Sequence, residues 1–487
     1  MLKRIISLVL CLIMAAAVLA SFNGCSTEKD ESPSSDAIIS ETDNAQSSGV
    51  EDEDTYVPPD VYYNNIDFNI LTWDITTEWV MEYSDTLNEI NKQSYYHLNM
   101  TEQELGINLN IALKVPGGYG NMESFVTKIY TLSGSDNIDL VCQYSLAGAV
   151  GVQQGVYKNL LEVDHIKWDA EYWSEDLLKA HTINNKLYYC TGDLTPTVLE
   201  TMFVMVYNYD LANKYQMGNL YELVDTNQWT IEKLYELTKG CYLDVNRNGQ
   251  KDNSDEYGLV SAVYNELDPY QYGGDLECLV VNSVGELEVN SQLYGEYGTT
   301  LCKKLRQLLH DNPGAYCNTK ENGRYSNAIR EGKTVFQVMQ AGELITGFTE
   351  SDVNHGILPM PMYDSDQGRY RTTNSMVYSM FSIPIIARDP NMSAAVLESM
   401  AHSGYVKINP AIFKAMQYKY STRSDDARML EILRKGISYD PGRYLDSVGL
   451  FALVRRVVRD NVEIITYYEY QEELTRNALI EVNLAFS

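Results

Sequence analysis

Ile66-Asp67-Phe68-Asn69-Ile70-Leu71-Thr72 is apolar enough for a buried strand, and Trp73-Asp74 stands at its carboxyl end. Helical spacing follows over 87–106. Ile107, Leu109, Ile111, Leu113 and Val115 then alternate as in a strand, Pro116-Gly117-Gly118 breaks the chain, and 122–132 returns to helical spacing. A short apolar run at 138–142 closes the series. Strand, helix, strand, helix, strand in that order predicts a parallel sheet with helices on both faces. Ligands of such sheets meet the loops beyond the strand carboxyl ends, which selects Trp73 and Tyr144 as candidate contacts. A tryptophan that merely caps a core would read the same way.

Upstream of this unit, Lys3 and Arg4 precede an almost unbroken apolar run from Ile5 to Ala20, and small residues lead to Gly24-Cys25. This is the pattern of a secretory signal over 1–24. The run is short of the roughly 20 apolar residues a membrane span needs, and no comparable run follows. Gly24-Cys25 resembles the end of a bacterial lipoprotein cleavage box, with Phe22 and Asn23 atypical, so a lipid on Cys25 is expected; cleavage near Ala20-Ser21 is the alternative. Residues 25–60 are polar, with eleven acidic residues against the single Lys29. Such a stretch cannot bury enough apolar surface to fold and reads as a disordered acidic tether. The expected location is the outer face of a bacterial cell membrane.

The chain of 487 residues has a formal charge of −30, which repels polyanions and excludes a nucleic-acid partner. Six cysteines remain beyond Cys11 and Cys25: Cys142, Cys190, Cys241, Cys278, Cys302 and Cys317. Their even number permits three disulfides in an exported chain, but no spacing is as close as a CxxC pair. Isolated, partly buried thiols are the preferred reading.

In the second half, 202–207 reads as a strand, Thr230 as the cap of a helix, 276–289 as a hairpin turning near Ser283 to Gly285, and 293–310 as a helix. Further helices are predicted at 394–403, 411–420, 427–435 and 450–468. No internal repeat is found. One motif carries explicit chemistry: Asp244, Asn246, Asn248, Gln250, Asp252 and Asp255 place oxygen donors around Gly249 at the spacing of a calcium loop. Asp255 stands where such loops usually carry a glutamate, and neighbouring Glu256 is a candidate to compensate. A strand at 257–260 follows in place of an exiting helix, so a bound calcium would brace the loop. An ion-free acidic turn is the plain alternative.

No HExxH, GxSxG, Walker loop or GxGxxG is present, so the common zincin, hydrolase and nucleotide signatures are absent. A carboxylate pair of the glycosidase kind stays open with 67 acidic residues in the chain. Tyrosine occurs 38 times against 10 phenylalanines, and a ring that stacks while its hydroxyl hydrogen-bonds suits a sugar.

The order of segments resembles the extracellular solute-binding proteins of ABC importers (family 1), the group that includes sugar- and oligosaccharide-binding lipoproteins. It is carried by Asp139-Leu140-Val141-Cys142-Gln143-Tyr144, Val204-Met205-Val206-Tyr207-Asn208, Trp229-Thr230-Ile231-Glu232, Gly332-Lys333-Thr334-Val335-Phe336 and Gly356-Ile357-Leu358-Pro359, and it covers about 61–440. The resemblance implies an α/β, two-lobed periplasmic-binding-protein-like fold with a hinge and a central cleft. Lobe I would comprise 61–190 plus 371–410, and lobe II 191–370 plus 411–487. It further implies a monomer that binds an oligosaccharide without turnover and delivers it to permease subunits. Binding residues at strand ends would be Trp73, Tyr144, Asp193, Glu200, Tyr272, Gly274 and Glu343. A secreted carbohydrate-active enzyme, or a sensory or structural lipoprotein, remain the alternatives.

Overall fold

The structure, a computed structural model, describes residues 56–74, 78–132, 138–262, 265–318, 327–348, 351–417, 424–445 and 448–487. The signal segment and Cys25 lie outside the described residues. The strands are β1 (Ile66–Trp73), β2 (Ile107–Val115), β3 (Leu140–Tyr144), β4 (Phe203–Asn208), β5 (Tyr257–Ala262), β6 (Leu279–Val281), β7 (Leu287–Val289), β8 (Ala315–Asn318), β9 (Thr334–Gln340), β10 (His355–Leu358) and β11 (Ser379–Ser382).

The first sheet has the order β11-β3-β1-β2. β1 lies between β2 and β3 and is parallel to both, as the alternating pattern predicts. Phe68, Ile70 and Leu71 are fully enclosed, with side chains on both faces of the strand, as expected for the central strand of a sheet covered on both sides. The helix Glu89–Leu105 follows β1, starts on an Asn88 side-chain cap and ends on left-handed Gly106. It packs against Pro390–Gln417, where His97 Nδ1 and Ser403 Oγ stand 2.7 Å apart.

The second sheet, β10-β4-β9-β5-β8, is mixed. β4 is antiparallel to both neighbours, and β5 is parallel to β8 and β9. Fully buried Trp229 anchors it by donating Nε1–H to the Pro359 carbonyl at 2.8 Å. The predicted hairpin is β6 with β7, and Thr230 caps Ile231–Thr238.

Three chain segments cross between the two sheets, and their backbones are bonded side by side. On one flank of the segment 371–381, Cys190 and Phe381 exchange two backbone hydrogen bonds of 2.9 and 2.8 Å, Phe203 N–H donates to Thr373 O at 2.9 Å and Ser375 N–H to Thr201 O at 2.8 Å. On the other flank, Thr372 N–H donates to Gly436 O at 2.7 Å and Ser438 N–H to Thr372 O at 2.8 Å. Arg371, 3% exposed, binds Asp176 at 2.6 Å, Asp275 at 3.0 Å and Glu277 at 2.7 Å. One guanidinium thereby joins the helix Glu175–His181 to the loop before β6.

Three sequence expectations need correction. The separate helices at 394–403 and 411–420 are one helix, Pro390–Gln417, which continues through Pro410. Proline removes one hydrogen bond, while buried Ile408, Ile412 and Met416 hold the helix to the core on both sides. The helix at 450–468 is instead Leu453–Asp460 and Ile464–Ala485, separated at Asn461 with φ 54°, a left-handed conformation that asparagine tolerates better than most residues. The expected tether ends before its predicted limit of 60: Tyr56 stacks on His402 with ring centroids 3.6 Å apart and donates to Glu104 at 2.6 Å. Those contacts make Tyr56 part of the folded body. The C-terminal helix Ile464–Ala485 packs on both Glu296–Leu309 and Ala147–Gln153. The six cysteines of the body are free thiols.

Gly404 permits the helix Pro390–Gln417 to lie on the first crossing segment, since a Cβ there would stand 1.7 Å from the Asp193 carbonyl oxygen. Gly404→Ala is therefore expected to cost about 1–3 kcal/mol in urea unfolding, and an unchanged midpoint would contradict this packing.

Candidate functional site

A cavity of about 660 Å³ opens between the two sheets, within the range of small-molecule sites. Tyr144, at the carboxyl end of β3, forms one wall with Ala149, Val150 and Gln153 of the helix Ala147–Gln153. The other wall holds Phe203 at the start of β4 and Gln340 at the end of β9. Ser375, Met376 and Val377 of the central crossing segment line it between them. The C-terminal segment contributes Arg443, Tyr444, Phe451 and Arg455, which face Asn265 and Asp268.

The polar groups of this cavity are held from behind. Trp73 donates Nε1–H to Ser379 Oγ at 2.7 Å and packs its ring 5.3 Å from that of Tyr144, fixing the tyrosine. Burial pushes the Tyr144 hydroxyl up, against the pull of Arg443, so it stays protonated and able to donate. Arg443, 4% exposed, donates to Thr373 Oγ1 and, at 2.7 Å, to the Asn374 carbonyl. Its guanidinium lies 5.1 Å over the ring of Tyr272, whose hydroxyl donates to Asp440 at 2.9 Å. Arg455 Nε is 2.8 Å from Asp268 Oδ1, its Nη1 donates to Asn265 Oδ1 at 3.2 Å, and its guanidinium lies 5.2 Å over the ring of Phe451. Ser375 Oγ donates to Gln340 Oε1 at 3.0 Å. Flat aromatic faces beside fixed donors and acceptors suit a polyhydroxylated ring.

Of the seven residues selected from sequence, Tyr144 lines this cavity, while Trp73 and Tyr272 stand directly behind Tyr144 and Arg443. The other four are placed elsewhere. Asp193 is buried and paired with Arg434 at 2.8 Å, in a second groove that shares no lining residue with the first. Glu343 is paired with Arg330 at 3.1 Å. Gly274 ends the short helix Asp268–Gly273 against Leu301, its carbonyl accepting from Tyr297 at 2.8 Å. Glu200 ends the helix Thr197–Glu200 beside the crossing segment. Sequence reasoning missed Arg443, Arg455 and Asp268. The signal available was Asp440-Pro441-Gly442-Arg443, a cap and turn just past the stretch that carried the resemblance.

The acidic loop is compact. Asp244 accepts from Asn248 N–H at 3.2 Å and Gly249 N–H at 2.8 Å, and Gly249 has φ 74°. Asn246 and Asn248 both donate side-chain N–H to Asp252, whose carboxyl these bonds and Ser254 N–H hold below the usual range. Asp255 is fully buried and accepts from Val245 N–H at 3.1 Å and Asp252 N–H at 3.2 Å. The side chain of Gln250 is not among these contacts; its N–H donates to Asn248 Oδ1 at 2.7 Å. Glu256 points away, to Lys214 at 2.6 Å and Tyr215 at 2.5 Å, so it does not substitute for a longer carboxylate at Asp255.

No family model matches the chain, and no curated protein sequence matches it. Solved structures do match. UspC of Mycobacterium tuberculosis is similar over 86% of this chain and 100% of its own, with TM-score 0.55 and 14% identity. The GacH receptor of Streptomyces glaucescens, solved unliganded and with acarbose, covers 87% and 98% with TM-score 0.51 and 14% identity. UgpB of Mycobacterium tuberculosis, solved with glycerophosphocholine, covers 86% and 98% with TM-score 0.51 and 13% identity. The chain therefore has the α/β, two-lobed, periplasmic-binding-protein-like fold with hinge and central cleft that these structures share.

Glu78 and Glu200 set a pH dependence beside the hinge. Glu78 is 2% exposed and accepts from Thr197 at 2.5 Å and Ser379 at 2.6 Å. Burial, and secondarily Glu78, push Glu200 up from 4.5 to about 7. The folded state then holds the extra proton between these values, so the stability that Glu200 contributes is complete below about 4.5 and lost as pH rises through about 7. Buried His97 and His181, pushed down to about 3 and about 4, act in the opposite sense. The difference between Glu200→Gln and the parent isolates Glu200: the variant should gain about 2 kcal/mol relative to the parent between pH 5 and 7.5 in urea unfolding. A constant difference would contradict the assignment.

Proposed function

We propose that this protein is an extracytoplasmic solute receptor that binds an oligosaccharide in the 660 Å³ cavity and passes it unaltered to an ABC-importer permease. The observation that carries the reading is the composition of the cavity wall: both sheets and the crossing segment at 375–377 contribute to it. A solute touching all three stabilises the arrangement in which the sheets approach, and only such two-sided contacts favour closure. That the GacH receptor was solved with acarbose and UgpB with glycerophosphocholine supports a polar organic solute. Secretion by the 1–24 signal, a lipid on Cys25 and the acidic stretch after it complete the proposal, as a leash holding the receptor outside the cell.

A carboxylate-pair enzyme is disfavoured by chemistry. Among the described lining residues Asp268 is the one carboxylate, and Arg455 and Arg443 engage it at 2.8 and 3.8 Å. Glycoside hydrolysis needs two carboxyl groups about 5–9.5 Å apart across the scissile bond. Calorimetry of the purified chain against an oligosaccharide panel should give one-to-one binding, with every glycan recovered intact by chromatography. Tyr144→Ala should weaken binding about tenfold or more through lost stacking. Shortened glycans would refute the receptor reading.

The same proposal includes a structural calcium ion held by Asp244, Asn246, Asn248, Gln250, Asp252 and Asp255. The turn at Gly249 and the hydrogen bonds by which Asn248 joins Asp244 to Asp252 support it, and since no three acidic side chains are grouped to hold an ion among the described residues, the loop would have to close further around it. Calcium at millimolar concentration should raise Tm by about 2 °C or more over chelator-treated protein, and Asp244→Asn with Asp252→Asn should remove the rise. An identical Tm in both conditions would rule the ion out.

A further inference from the structure

The charge of the cavity runs against the charge of the chain. The formal total is −30, yet the charged residues described in the lining are Arg443, Arg455 and Asp268. One carboxylate is shared by two guanidiniums, 2.8 Å from Arg455 Nε and 3.8 Å from Arg443 Nη2, which leaves the trio with one net positive charge. Neither arginine is a loose surface side chain. Arg443 is fixed to the crossing segment through Thr373 and Asn374, and Arg455 is fixed through Asn265 and Asp268. Arg443 Nε is buried and makes no hydrogen bond among the described atoms. That nitrogen is enclosed, so what a solute in the cavity meets is the charge of the two guanidiniums, which an anionic oxygen satisfies better than a hydroxyl does.

We propose that the solute is an acidic saccharide, of the uronic-acid class, whose carboxylate sits against Arg443 and Arg455 while its ring faces Tyr144, Phe203 and Phe451. This rests on the cavity being the solute site, and it deepens that reading by naming the ligand class. A carboxylate brings one negative charge, equal to the surplus of the trio. A phosphate monoester brings about −1.5 to −2, more than the trio neutralises, into a chain whose remaining field is repulsive. The guanidinium fork also matches the two oxygens of a carboxylate.

The test is calorimetry on the folded chain with trigalacturonate, the same trisaccharide with its carboxyl groups reduced to alcohols, and glucose 6-phosphate. Trigalacturonate should bind about tenfold or more tighter than the reduced trisaccharide. Arg455→Gln should abolish that preference, costing trigalacturonate about tenfold more affinity than it costs the reduced trisaccharide, and Arg455→Lys, which keeps the charge without the fork, should keep only part of it. Equal or tighter binding of the reduced sugar, or tightest binding of the phosphate, overturns the acidic-saccharide inference and leaves the receptor reading intact. Binding of none of these probes or of the wider oligosaccharide panel, with the fold verified by circular dichroism, removes the receptor reading of this cavity and the inference with it.

Discussion

The segment 371–381 holds the molecule together, because its backbone is hydrogen-bonded on one flank to 190–203 and on the other to 436–438. β11 continues the segment into the first sheet, while Phe203 leads from its neighbour into the second. Arg371 adds a charged fastening in which three carboxylates surround one buried guanidinium. Removing that cation would leave three partly exposed carboxylates close together without their shared counter-charge. A ribbon of this kind resists shear but can bend, and bending is the motion a hinge requires.

The same ribbon builds the candidate site. Ser375, Met376 and Val377 line the cavity from the hinge itself, and Thr373 and Asn374 hold Arg443 in place. On the proposed reading, bending would move the walls relative to a floor that the solute also touches. The helix Ile464–Ala485 complicates the movement, since it packs against helices of both halves. Asn184 N–H also donates to Gly285 O at 2.8 Å, tying the β6–β7 hairpin to the first half. These contacts lie away from the crossing segments and restrict the directions in which the halves can swing.

The first half was legible because its chemistry is local. The alternation from Ile107 to Val115 and the enclosed run through Phe68, Ile70 and Leu71 each define a strand without reference to anything distant, and the carboxyl-end rule then led to Tyr144. The charged part of the site was not legible. Arg443 and Arg455 lie in a C-terminal stretch that reads only as helix, and what distinguishes them is Asp268, far away in sequence, together with the hinge backbone. Carboxylates mislead for the same reason: Asp193 and Glu343 look like free ligands in sequence, but Arg434 and Arg330 neutralise them. Local exceptions at Pro410 and Asn461 moved helix boundaries because tertiary packing outweighed a single residue's preference.

A rigid shell with a pocket would explain a binding site equally well, so movement is the claim that separates this account from a static one. Small-angle X-ray scattering of the purified chain, recorded alone and with a saturating oligosaccharide that calorimetry shows to bind, tests it most directly. The account predicts a smaller radius of gyration and maximum dimension in the bound sample. A scattering curve that superimposes on the unbound one at full saturation would contradict it.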